Sequence, residues 1–196
     1  MSGGAGPTDP RMREPEAKDP EVAAVLEGRD RISLDDDMVS DATAEAAPAA
    51  AARHESLLVR IRRMTVAMRV KLALTGNKEA RQVLAHDSVK LVQACVLKNP
   101  RFTLEEALAM AKNRSLAGEL LRTIADQRDW VRHYSIRLAL VQNPKTPLQV
   151  ALGLLNGIQD RDMRIIAKSR NVASVLQSQA KRNILRRDGG GGGGGG

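Results

Sequence analysis

The amino-acid sequence predicts an all-α protein built as a short solenoid of stacked helix pairs, and three observations carry that prediction. Aromatic residues make up 2% of the 196-residue chain while 42% of it is hydrophobic. Its core must therefore be assembled from Leu, Ile, Val, Ala and Met, which suit helix-on-helix packing better than sheets. An apolar pattern of helical period runs from about residue 53 to residue 187. Two stretches of that pattern recur 44 residues apart, as expected when one helical unit is used more than once.

Residues 1–52 precede that pattern. They are rich in Ala, Pro, Gly and acidic residues, with Gly3-Gly4-Ala5-Gly6-Pro7, Pro10, Pro15 and Pro20 set among charges. Such a segment buries too little apolar surface to offset its ordering entropy, so it is expected to be a disordered acidic tail apart from a short helix at Glu21 to Glu27. The charge divides at the same place. The tail has 5 basic and 12 acidic residues, a net −7, against 26 and 11, a net +15, in the rest of the chain. At the other end, residues 188–196 are expected to form a flexible tail because the run Gly189 to Gly196 has no side chains to pack.

Within 53–187, helices are expected near 54–75, 77–86, 88–98, 103–113, 115–126, 129–142, 146–157, 160–169 and 172–186. The first is long and cationic, with Arg60, Arg62, Arg63, Arg69 and Lys71. The third and sixth are the inner members of the repeat: Val92, Ala94, Cys95, Val96 and Leu97 match Ile136, Leu138, Ala139, Leu140 and Val141, and their wide apolar coverage suits a helix packed on several sides. Each ends in Asn-Pro, at Asn99-Pro100 and Asn143-Pro144, where the proline forces the asparagine out of α conformation. Thr103 and Thr146 then stand where they can cap the following helices, and Pro147 suits a first helical position. Those outer helices carry narrow stripes, Leu104, Ala107, Leu108 and Ala111 against Leu148, Ala151, Leu152 and Leu155. In the eighth, Arg161, Arg164 and Lys168 share one face, and Arg170, Lys181 and Arg182 follow.

The 44-residue unit and the turn Asn143-Pro144-Lys145-Thr146-Pro147 resemble HEAT-like and leucine-rich-repeat-variant proteins, and the whole domain is similar to short uncharacterised bacterial α-solenoid proteins. The resemblance implies a right-handed, HEAT-like α-solenoid and no particular activity. The cysteine cluster that holds iron and sulfur in some variant-repeat proteins has no counterpart here, because Cys95 is the only cysteine. In armadillo-type solenoids inward asparagines grip an extended peptide, so Asn99, Asn143 and Asn171 are candidates for a peptide ladder. The competing reading is local, an Asn before Pro closing its own turn.

Little in the chain points to catalysis. His54, His86 and His133 are far apart and lack metal-ligand spacing, and there is no nucleophile elbow or phosphate-binding glycine loop. Cys95 lies in an apolar run and reads as a small hydrophobe. Asp126, Asp129 and Trp130 invite comparison with HEAT-like DNA glycosylases, but packing between Trp130 and Tyr134, one helical turn apart, explains the aromatics more simply. No cofactor, metal or catalytic residue is expected. No apolar stretch is long enough to span a membrane or to form a secretory leader, so a cytoplasmic protein without membrane attachment is expected.

Two functions remain. One is a non-enzymatic protein-interaction module, an adaptor or scaffold with a basic binding face. The other is a sequence-tolerant binder of nucleic acid through duplex phosphates. For either, the candidate contacts are Arg60, Arg63, Arg161, Arg164, Lys168, Arg170, Lys181 and Arg182; the competing reading is that these cations form solvated outer faces. The charge division leaves two readings of Leu34-Asp35-Asp36-Asp37, with Asp41 and Glu45: a segment that lies against the basic face and restrains binding, or a merely solubilising tail.

Overall fold

A computed structural model describes residues 19–40 and 56–190. Among them every regular element is a helix. The chain divides into two compact units, Met1–Arg101 and Phe102–Gly196, where the sequence alone suggested one repeat domain over 53–187.

The first unit begins inside the expected tail. Helix α1 (Pro20–Leu26) is capped by Asp19, whose carboxylate accepts the Glu21 N–H, and it buries Val22 and Val25. It ends at Gly28, whose φ of 68° allows its N–H to reach Val25 O and the Arg29 N–H to reach Ala24 O. A single turn, α2 (Asp36–Val39), buries Met38 completely. The expectation that residues 28–40 are disordered therefore fails. Polar anchors hold the segment: Lys71 donates to Asp30 and to Ile32 O, and Arg60 donates to Asp35 and Asp37. Asp41, Glu45 and His54 lie outside the described residues.

The long helix expected over 54–75 is two helices. Helix α3 spans 56–63 and α4 runs Val66–Thr75. Thr65 stands between them in extended conformation, its hydroxyl accepting the Met68 N–H, a local bond that competes with continuing the helix. Helices α5 (Lys78–Leu84) and α6 (Lys90–Val96) complete the unit around Leu57, Ile61, Val70, Leu72, Ala73, Leu84, Val92, Cys95 and Val96. Cys95 is fully buried and burial pushes its thiol pKa up, in keeping with an inert hydrophobe.

In the second unit, α7 (Leu104–Lys112) opens with a full capping box: Thr103 Oγ1 accepts the Glu106 N–H and the Glu106 carboxylate accepts the Thr103 N–H. Then come α8 (Gly118–Asp126), the single turn α9 (Arg128–Val131), α10 (Tyr134–Gln142), α11 (Leu148–Leu155), α12 (Asp160–Lys168) and α13 (Ser174–Gly190). The helix expected over 129–142 is broken at His133, which is extended. That break separates the expected aromatic pair. Trp130 packs on Phe102, with ring centroids 5.2 Å apart, while the Tyr134 hydroxyl bonds Asp162 and accepts the Gln159 N–H.

Two end expectations also change. Pro147 occupies the N-cap of α11 and not its first turn, and the Thr146 hydroxyl makes no capping bond; its Oγ1 is buried without a partner. Helix α13 runs on through Asp188, Gly189 and Gly190, past the boundary at 187. One apolar cluster unites the last four helices, with Leu155, Ile158, Met163, Ile166, Leu176 and Ala180 at its centre.

Candidate functional site

A cationic cleft lies between α12 and α13. On α12, Met163, Ile166 and Ala167 form the buried stripe, leaving Arg161, Arg164 and Lys168 outward. Asp160 and Asp162 in the first turn and Lys168 in the last complement the helix dipole. On α13, Leu176 and Ala180 are buried and Ile184, a turn later, is packed against the same cluster. Leu185 falls off that stripe and is 71% exposed. Between the helices lies a cleft of about 380 Å³, lined by Arg164, Ala167, Lys168, Lys181, Ile184 and Leu185. Its floor is continuous with the core through Ala167 and Ile184, and three cations form its rim.

Those cations differ in availability. Arg164 donates to both carboxylate oxygens of Asp188 at 3.2 Å. Lys168 and Lys181 make no hydrogen bond or ion pair among the described residues and are exposed. Arg161, Arg170 and Arg182 are exposed but do not line the cleft. The sequence thus located three of the rim residues and missed Ile184 and Leu185. The signal for Leu185 was its place off the Leu176–Ala180–Ile184 stripe.

The other predicted cations belong to the first unit. Arg63 is exposed at the end of α3, whereas Arg60 is bonded to Asp35 and Asp37. Arg69 is paired with Asp87 at 2.6 Å and Lys71 with Asp30. Much of the positive charge expected on the first long helix is consequently neutralised by neighbouring carboxylates. The Arg60 hydrogen bond holds the Asp37 carboxyl below its ordinary pKa, and the Lys71 bond does the same for Asp30.

Two of the three candidate asparagines close their own turns and also hold carbonyls of an earlier helix end. Asn99 and Asn143 are buried. Asn99 Nδ2 donates to Ala73 O at 2.9 Å and Gly76 O at 3.3 Å, and Asn143 Nδ2 donates to Ala111 O at 2.8 Å and Asn113 O at 3.0 Å. Their Oδ1 atoms accept the N–H two residues on, from Arg101 and Lys145. Both amide donors thus hold the chain's own carbonyls and are not presented to a peptide. Asn171 lies exposed in a turn, its N–H donating to Ser169 Oγ. The third member of the series is Asn77, whose Nδ2 donates to Asp37 O at 2.8 Å and Ser40 O at 2.9 Å. Asn77 was not among the ladder candidates, since it follows Gly76 and precedes no proline.

A second cationic cleft, about 450 Å³, is lined by Arg128, Arg132 and Arg137 beside Gly153, Leu154 and Gly157. Arg137 is committed to structure, donating to Gly157 O and Arg132 O at 3.2 Å, and Arg132 is ion-paired with Asp129. Asp126 is ion-paired with Arg122. Among the described residues no helix is long and apolar enough to cross a membrane, and no three His, Cys, Asp or Glu side chains cluster to hold a metal ion. Compared with family models, curated proteins and solved structures, the chain matches none of them.

Proposed function

We propose that this chain is a non-enzymatic interaction module, an adaptor or scaffold, whose α12–α13 cleft docks an acidic amphipathic segment of a partner protein. The observation that carries this reading is the coincidence in one cleft of an exposed leucine and two unpaired lysines. An apolar floor with a cationic rim favours a ligand with one apolar stripe flanked by carboxylates. Burial of Leu185 contributes about 1–2 kcal/mol, while the lysines add on-rate and discrimination against basic segments. A HEAT-like stacking of helix pairs belongs to the same reading. Its support is that Asn99 and Asn143, 44 residues apart, each hold carbonyls at the end of an earlier helix.

The second reading, binding to duplex phosphates, draws on the net +15 of residues 53–196. The two readings part at Leu185, since phosphate contact needs cations and not a leucine. The test uses the full chain with two probes, a synthetic Glu- and Ala-rich helix carrying one leucine stripe, and a random-sequence DNA duplex. Leu185→Ser is expected to weaken the peptide about tenfold, from the lost apolar burial, and to leave duplex affinity unchanged. Tight duplex binding with a steep salt slope, indifferent to Leu185 and beside no peptide binding, would replace this reading with the nucleic-acid one.

A further inference from the structure

The segment before α3 is held in the manner of a bound peptide. Four consecutive backbone carbonyls, Asp37 to Ser40, each accept a hydrogen bond from a group outside the segment. Asn77 Nδ2 donates to Asp37 O and Ser40 O, the Asn77 backbone N–H donates to Met38 O at 2.8 Å, and Arg101 Nη2 donates to Val39 O at 2.9 Å. Arg60 grips the acidic side, with Nη1 and Nη2 on Asp37 and Nη2 on Asp35 at 2.6 Å. Met38 is 0% exposed and is the single apolar anchor of the turn. The side chains of Asp35 and Asp37 remain 72% and 60% exposed, so the segment lies on the unit as a ligand would and is not threaded through it.

Three features separate this arrangement from ordinary core packing. A four-residue turn has no stability of its own and forms only when held. Its recognition reads backbone carbonyls and two carboxylates, a chemistry that any chain with an acidic turn and a long apolar residue can present. Fifteen residues, 41–55, connect it to α3. A tethered ligand competes at an effective concentration on the order of millimolar, enough to mask a weak site without closing it to a tighter one.

We propose that Arg60, Asn77, Arg101 and the Met38 pocket form a docking socket for a short acidic helical turn with an apolar anchor, filled in cis by residues 35–40 and open to the same motif on a partner protein. The socket belongs to the first unit and is independent of the α12–α13 reading. Its own segment is a competitor, which gives the acidic arm a physical role in restraining binding.

The test vacates the socket in the full chain with Met38→Asp, which places a charge in the apolar anchor pocket, and measures anisotropy of a fluorescein-labelled peptide of residues 33–40. The expected result is peptide binding at least tenfold tighter to M38D than to the unmodified chain, lost again when Arg60→Glu is added. Equal binding to both chains, no binding to M38D, or indifference to Arg60→Glu would each overturn the proposal. Loss of the cooperative helical unfolding transition in M38D would make the segment a fixed part of the core, and overturn it too. A concentration-dependent dimer of M38D in place of peptide capture would assign the socket to a second copy and equally contradict a partner motif.

Discussion

Asn143 holds two carbonyls with one amide and receives one N–H, using three of the four hydrogen bonds its side chain can form. Asn143→Ala leaves those groups buried without partners, and a loss of about 2–3 kcal/mol is expected from the denaturant midpoint. Asn143→Asp should not restore it, since a carboxylate offers no donor to the carbonyls of Ala111 and Asn113. The acidic contacts of the first unit add a pH dependence. Asp30 and Asp37 have folded pKa values below their ordinary one. Their contribution is therefore present above about pH 4 and disappears as pH falls through the lowered values. Amide protection of residues 19–40 is expected to fall in that acid range before that of α12, as read by hydrogen exchange. At this scale the sequence was only half legible. Asn99 and Asn143 stood out by their prolines, but what an amide donates to depends on which helix end lies across from it, and no local pattern records that.

At the scale of elements, caps and breaks set the boundaries. Thr103 was legible as a cap, the structure adds Glu106 as its reciprocal partner, and Thr103→Ala is expected to cost about 1 kcal/mol by thermal or chemical denaturation. Gly76 is harder to see from sequence. A Cβ there would lie 2.4 Å from Leu72 O, and Gly76 O also accepts from Asn99 and Arg81. Gly76→Ala should therefore destabilise by about 1–3 kcal/mol, with loss of the α4–α5 turn seen as new exchange at Ala73 to Asn77. Helix existence was legible because the apolar stripes are periodic. The breaks at Thr65 and His133 were not, since both fall inside unbroken periodicity and lack Gly or Pro. The end of α11 was equally hidden: the carbonyls just after it accept from distant arginines, Asn156 O and Ile158 O from Arg187 and Gly157 O from Arg137.

For the whole molecule, composition predicted the helical class and the charge division, and both persist among the described residues. What composition misjudged was the tail, because low average hydropathy conceals Val22, Val25 and Met38, three apolar side chains spaced to reach one surface. The division of cations was misjudged as well. Counting charges placed an excess on 53–196, but carboxylates of the first unit take up Arg60, Arg69 and Lys71, leaving Lys168 and Lys181 as the exposed pair beside an apolar floor. The α12–α13 cleft is proposed to receive an acidic amphipathic helix. Amide chemical-shift mapping of the full chain, titrated with the Glu- and Ala-rich leucine-striped helix, tests it most directly. The largest shifts are expected at Arg164 to Lys168 and Lys181 to Leu185, weakening as salt rises. Shifts centred elsewhere, or none at a peptide concentration that saturates other sites, would contradict it.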